Sequence, residues 1–403
     1  MNLLIKIVTT ACALCVASIS YGHDGNQTGG QPSAQKLAQA RAMRDKAVSY
    51  LLTQQDAASG GWSVRPEGPN LPAITGLVLL GMTADNAIPT RDNTTKRAVD
   101  RASEFLYGYQ QGDGGIYDRI LPQYNTAISL AALSRLDTPR SRRAVRDALA
   151  FLRTLQYSEN NPNPELQVQR SHPFYGGIGY GGSGRPDNSN MHMFMMALQE
   201  AGVPSDDPAV QRALVFLERT QMDGRINEMP YAEDSRQGGF IYATSPNGEE
   251  MGVGESKAGT IEETLSDGRT ASRLRAYGSM TYAGFKSYLY AELPADDLRV
   301  TQAYKWIGEH YTLKENPGIG TDGYYYFILT FARALDAFGR PTLEVVAEDR
   351  STREANWAND LIDQLATLQN EDGSFRSVDD RWMEDNPVLI TAYTLIALGE
   401  VLD

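Results

Sequence analysis

The chain has 403 residues, 41% hydrophobic and 22% charged, which supplies apolar material for a large core and sets it apart from disordered chains. A net charge of −13 and the lack of any basic run make nucleic acid and anionic membrane surfaces poor partners. Both cysteines, Cys12 and Cys15, lie in the first fifteen residues, so the rest of the chain has no disulfide and no thiolate to offer zinc.

Residues 1–22 read as a signal peptide. Lys6 is the positive element, residues 7–20 are an apolar stretch too short for a stable membrane span, and the small residues Ser20 and Gly22 suit cleavage before His23. The expected product is a secreted or periplasmic protein that is not integral to a membrane once the leader is removed. Residues 23–34 are polar and Gly-rich and read as a flexible lead-in. Residues 35–403 read as one domain.

That domain repeats itself six times. Each copy starts with a helix of apolar periodicity, reaches a Gln or Tyr, and then turns through glycines, mostly into an aromatic. The first copy runs from Ala47 to Gln55 and Gly60-Gly61-Trp62, and the second from Ala102 to Gln110 and Gly114-Gly115-Ile116-Tyr117. The third runs from Ala148 to Gln156 and on to Gly176-Gly177-Ile178-Gly179-Tyr180, the fourth from Ala213 to Gln221 and Gly238-Gly239-Phe240. The fifth runs from Ala303 to Tyr311, Gly318 and Gly320, the sixth from Leu361 to Gln369 and Gly373-Ser374-Phe375. A second helix follows each turn, predicted at 73–82, 124–136, 189–201, 277–293, 324–338 and 388–402.

The two helix sets differ in polarity. First helices carry charge on one face, as in Ser141-Arg142-Arg143-Ala144-Val145-Arg146-Asp147. Second helices are apolar on nearly every side, as in Leu389-Ile390-Thr391-Ala392-Tyr393-Thr394-Leu395-Ile396. Outer and inner helices in alternation predict an all-α, double-walled ring of six hairpins, an (α/α)6 toroid. The Gly-aromatic turns read as structural, with Gly permitting a left-handed helix end and Gln bonding open carbonyls. The acidic pairs Asp206-Asp207 and Asp296-Asp297 read as caps of outer helices. Two long loops, 157–186 and 222–268, interrupt repeats three and four and read as lids over one mouth of the ring.

Gln110-Gln111-Gly112-Asp113-Gly114-Gly115 and Gln369-Asn370-Glu371-Asp372-Gly373-Ser374-Phe375 resemble the Q-x-x-x-G-[GS]-[WF] repeat of squalene-hopene cyclases and protein prenyltransferase β subunits. Six copies carry the resemblance to the terpenoid cyclase and prenyltransferase superfamily over nearly all of residues 40–403. Tyr277-Gly278-Ser279-Met280-Thr281-Tyr282-Ala283-Gly284 and Tyr175-Gly176-Gly177-Ile178-Gly179-Tyr180 are similar to segments of a secreted bacterial, squalene-cyclase-like subgroup. The resemblance implies the toroid fold and an apolar, isoprenoid-like ligand. It does not carry over the family's chemistry. The D-x-D-D acid of the cyclases has no counterpart. The zinc-binding D-G-C-Y and H-T-x-Y elements of the prenyltransferases are matched by Thr321-Asp322-Gly323-Tyr324-Tyr325 and Ile390-Thr391-Ala392-Tyr393, with Tyr324 in place of the Cys and Ile390 in place of the His. No metal and no cofactor is therefore expected.

Inner helices that all start after equivalent turns bring their N-termini to one end. The residues there are the candidates for lining a cavity: Tyr124, Asn125, Asn188, Met191, Met195, Tyr277, Tyr282, Tyr324 and Asp385. His192, Asp187 and Asp322 are the candidate acid-base groups, with hydrogen-bonded packing for the His and helix capping for the acids as the plainer readings. The expected function is binding of a hydrophobic small molecule or a peptide segment. The alternative is an isomerase-like or other acid-base enzyme.

Overall fold

The computed structural model of the protein describes residues 30–65, 67–84, 93–182, 184–347 and 349–402. The expected leader at 1–22 and most of the 23–34 lead-in lie outside the described residues. Twelve α-helices run through the described residues in six successive pairs. Helices α1 (Ala34–Gln54), α3 (Asn93–Gly108), α5 (Pro139–Thr154), α7 (Pro208–Glu218), α9 (Leu298–Glu309) and α11 (Trp357–Ala366) are the first members. Helices α2 (Pro72–Ala84), α4 (Pro122–Ser134), α6 (Asn188–Glu200), α8 (Gly278–Tyr290), α10 (Tyr324–Phe338) and α12 (Pro387–Leu402) are the second.

The polarity difference read in the sequence is a difference in burial. In α5 only Ser141, Ala144, Ala148, Phe151 and Leu152 are buried, one stripe at helical spacing. In α2 every residue from Pro72 to Thr83 is buried, and in α8 every residue from Gly278 to Leu289. The outer helices are capped as their sequences suggest. Asp207 accepts from Ala209 N at 2.8 Å, Asp297 from Arg299 N at 2.8 Å, and Thr138 forms a capping box with Ser141.

The inner helices pack in chain order: α2 on α4, α4 on α6, α6 on α8, α8 on α10, α10 on α12, and α12 back on α2. Each later outer helix lies on the inner helix that precedes it, and α1 lies on α12. The last unit therefore meets the first.

The Gln motif fastens these units. Gln55 Nε2 donates to Gly60 O in its own turn and to Ala98 O of α3, the next outer helix. Gln156 does the same with Gly176 O and Ala209 O, Gln221 with Gly238 O and Arg299 O, and Gln369 with Gly373 O and Met43 O. The partner carbonyl belongs to the following outer helix, so the motif joins repeats; it does not close the end of its own helix. Met43 sits in α1, which makes Gln369 the link from the last repeat to the first. The turn glycine completes the joint. At Gly176, with φ +79°, an added Cβ would come 1.8 Å from Arg212 O of α7. Only glycine both takes that backbone conformation and lets the two chains approach so closely.

The expectation of an all-helical chain needs a correction. Among the described residues there are three antiparallel two-stranded hairpins: β1 (Gln221–Asp223) with β2 (Arg236–Phe240), β3 (Thr260–Thr264) with β4 (Thr270–Leu274), and β5 (Thr342–Val346) with β6 (Thr352–Asn356). The first is the Gln motif itself, grown longer. Gln221 pairs with Phe240 as Gln110 pairs with Ile116, Gln156 with Ile178 and Gln369 with Phe375. The second lies mostly in the 222–268 loop, and the third joins α10 to α11. Paired edges satisfy backbone groups that an irregular loop would leave open.

Candidate functional site

Six phenols from six segments gather where the inner helices begin. Tyr124 is the third residue of α4, Tyr326 the third of α10, Tyr277 the N-cap of α8, and Tyr393 lies seven residues into α12. Tyr180 and Tyr242 come from the two long loops. Tyr124 stacks on Tyr180 with ring centroids 6.1 Å apart, and Tyr326 meets Tyr393 edge-on at 6.2 Å. The Tyr180 and Tyr242 hydroxyls lie 3.4 Å apart. Burial holds these phenols above their ordinary range. Tyr393 and Tyr180 add to the effect at Tyr124, and Tyr124, Tyr277, Asp187 and Tyr180 add to it at Tyr326. All six are thus neutral donors at neutral pH. Tyr124, Tyr242 and Tyr326 keep accessible surface, and Tyr180 is 39% exposed.

Two carboxyls stand among them. Asp187 caps α6, accepting from Asn190 N at 3.0 Å and from Ser189 Oγ at 2.7 Å. Burial nevertheless raises its carboxyl above the usual range. Glu384, 1% exposed, reaches from the segment before α12 to the start of α10, where it accepts from Tyr325 N at 2.9 Å and Tyr326 N at 2.8 Å. Both bonds favour the ionised form, but burial outweighs them and pushes Glu384 up to about 7.

His192 lies on α6, 1% exposed, with Nδ1 2.9 Å from the Tyr326 hydroxyl of α10. Its Nε2 has no hydrogen-bond partner among the described residues. Burial, with Lys286 and Arg333 adding to it, holds the ring well below the usual histidine range, so the ring is neutral.

The opposite ends of the same helices carry ions. Arg135, the C-cap of α4, forms a bidentate pair with Glu200 at the end of α6, at 2.8 and 2.7 Å. Arg333 of α10 bonds Glu200 at 3.0 Å and Glu400 of α12 at 2.9 Å. Cations suit this end, because the helix C-termini gather partial negative charge there. Lys286 of α8 is fully buried beside them, with Nζ 4.7 Å from the Tyr290 ring centroid and no hydrogen-bond partner among the described residues. Burial and the Arg333 charge hold its amine well below the usual lysine range.

The structure brings some of the sequence candidates together and holds others apart. Tyr124, Asp187, Tyr277 and His192 come together, with Tyr326 as the shared neighbour. Tyr324 turns away: its hydroxyl donates to Leu313 O at 2.7 Å and accepts from Gln364 of α11 at 2.9 Å. Tyr282 packs between α8 and α10 against Phe327 and Phe331. Asn125 ties α2 to α4, accepting from Ala73 N at 2.9 Å, and Asn188 bonds Ile241 O and Thr220. Met191 and Met195 are buried in the core. Asp322 pairs with Arg381 at the surface side of its turn, away from His192's own contacts. Asp385 is exposed, and its neighbour Glu384 is the buried acid. Sequence reasoning missed Glu384, Tyr242, Tyr393 and Lys286, and it left Tyr326 undecided among the adjacent Tyr324, Tyr325 and Tyr326. For Lys286 a signal existed, since it is the only charge in α8.

No family model matches the chain, and no curated protein matches it in sequence. Solved structures do. A type II terpene cyclase, MstE from Scytonema, in complex with merosterolic acid A, superposes with a TM-score of 0.52 at 15% identity, over 91% of this chain and 98% of that one. A D-mannose isomerase gives 0.57 at 11% identity, covering 92% of this chain and 99% of that one. An α-1,6-mannanase of Salegentibacter sp. with α-1,6-mannotriose gives 0.55 at 9% identity, covering 90% and 100%. At such identities the likeness is one of fold: the chain has the α/α-toroid fold found in terpene cyclases, a mannanase and an isomerase. No helix among the described residues is long and apolar enough to cross a membrane.

Proposed function

We propose that the chain is an exported (α/α)6 toroid, six hairpins closed into a ring, whose internal space binds an apolar, isoprenoid-like molecule. A signal peptide at 1–22 would direct it to the periplasm or beyond, and residues 35–403 would form the single ring domain. The observation that carries the binding reading is the convergence of Tyr124, Tyr180, Tyr242, Tyr277, Tyr326 and Tyr393 at the inner N-termini, several of them still accessible. Neutral phenols offer an apolar face and a hydroxyl edge, which suits a greasy chain with few polar groups. An extended peptide segment is the competing occupant.

A second reading, acid-base catalysis, is favoured by one contact: Glu384, whose carboxyl burial pushes up to about 7, accepts from Tyr326 N, and the Tyr326 hydroxyl bonds His192. A group that both gives and takes a proton near neutral pH suits general acid-base work. The test of both is native mass spectrometry of protein gently extracted from its own cell envelope, then incubation with geranylgeraniol and product analysis. A retained apolar molecule, or a geranylgeraniol adduct returned unchanged, supports binding. A chemically altered product supports the enzyme. Protein that carries no apolar molecule and takes up no geranylgeraniol overturns the proposal.

A further inference from the structure

Two polar nitrogens on neighbouring inner helices are more than nine-tenths buried and bond to nothing among the described residues: His192 Nε2 on α6 and Lys286 Nζ on α8. Buried donors are almost always satisfied, so each calls for an acceptor. Their direction follows from their neighbours. Lys286 senses Arg333 of α10, Glu400 of α12 and Glu200 of α6, and His192 senses Lys286 and Arg333. Charges on three other inner helices are common neighbours only for a side chain that points to the axis. Tyr290, whose ring lies under the Lys286 amine, keeps accessible surface although charges from α6, α10 and α12 surround it.

The charges at this end do not cancel. Arg135 and Arg333 are matched by Glu200 and Glu400 through four direct bonds, which leaves Lys286, once protonated, with no directly bonded carboxylate among the described residues. Asp336 of α10, which is exposed, comes last among the influences on it. One further negative charge would balance the set and satisfy both nitrogens.

We infer that the inner end of the ring takes the carboxylate head of an amphipathic ligand, accepting hydrogen bonds from Lys286 Nζ and His192 Nε2. The apolar chain then runs outward toward the six tyrosines. The inference rests on the reading of an apolar ligand in the ring and adds its head group and its direction. A carboxylate is preferred to an alcohol because it meets the lysine as an ion and forms charge-assisted bonds, about twice as strong as neutral ones.

The test compares farnesoic acid with farnesol, which share a chain and differ in the head, by titration calorimetry on the mature chain. The acid should bind at least about tenfold more tightly, the worth of one charge-assisted bond. In Lys286→Met, of similar length and without charge, that preference should fall to about twofold or less while farnesol binding persists. His192→Phe gives a second reading, with a smaller fall, and serves alone if Lys286→Met does not fold. Equal affinity of the parent protein for acid and alcohol overturns the head-group assignment and leaves the apolar-ligand reading standing. Failure of both probes to bind overturns the two together.

Discussion

His192 and Tyr326 are 134 residues apart and share a 2.9 Å hydrogen bond between Nδ1 and the phenol. Their helices, α6 and α10, are separated in packing order by α8, so the bond joins two inner helices that are not neighbours in that order. Both partners are neutral, the phenol held far above its ordinary range and the imidazole well below its own. In the tautomer that donates from Nε2 to the inferred carboxylate, the phenol donates to Nδ1.

The histidine should therefore stay neutral where an exposed one would charge. Its folded-state affinity for protons lies below the ordinary 6.5, so the unfolded chain binds the extra proton first. Its contribution is complete above about 6.5 and is lost as pH falls from there to the lower folded value. Nitrogen-detected NMR of the imidazole from pH 8 to about 5.5 should show one unchanging neutral tautomer. A titration midpoint near 6.5 would contradict the burial argument.

Glu384 has the opposite sign. Its folded value of about 7 stands above the ordinary 4.5, so the native state holds a proton that the unfolded chain has released. Stability from this group is complete below about 4.5 and declines as pH rises through 7, by up to about 3 kcal/mol. Between about 4.5 and 6.5 the two groups oppose each other, and the parent protein should show a shallow dependence. In Glu384→Gln only the histidine slope remains, so urea stability should climb from pH 5 to 7. Identical pH profiles for parent and variant would refute the assignment.

Gly176 and Gly202 both have positive φ, +79° and +71°, but differ in their surroundings. A Cβ at Gly202 meets nothing within 4 Å, whereas one at Gly176 would overlap the backbone of α7. Gly202→Ala should cost about 1 kcal/mol, the backbone term alone. Gly176→Ala should cost more than about 3 kcal/mol, because two main chains must separate. Chemical denaturation of the two variants side by side checks this, and similar losses would show that the joint between repeats is soft.

Gln369→Ala removes the bonds from the last repeat to Met43 and to Gly373. A loss of about 1–2 kcal/mol is expected, with hydrogen exchange rising first in α1 and α12, where the two ends of the chain meet. Exchange rising instead around α6 and α8 would place the weak seam elsewhere.

Arg333→Met leaves Glu400 without the cation it bonds and Glu200 with Arg135 alone. Breaking a buried pair from one side costs about 3–5 kcal/mol, and adding Glu400→Gln should recover part of it. Equal stability of the single and double variants would show that the buried charges are solvated.

The repeats, the order of outer and inner helices and the motif glycines were legible in the sequence, because helical periodicity and turn chemistry act over a few residues. The inner set could be recognised from α2 and from the stretch 389–396 of α12, where no charge interrupts the apolar run. The site was legible in part. His192, Asp187, Tyr124 and Tyr277 were named from their place at helix starts, but Glu384 was passed over for the exposed Asp385, and Tyr326 was one of three adjacent tyrosines with nothing local to choose between them. Which of Tyr324, Tyr325 and Tyr326 looks inward depends on the rotation of α10 against α8 and α12. Packing between helices decides that rotation, and the residues that settle it lie in other repeats. Local pattern therefore determined the walls of this protein, and only the meeting of distant helices decided what those walls face.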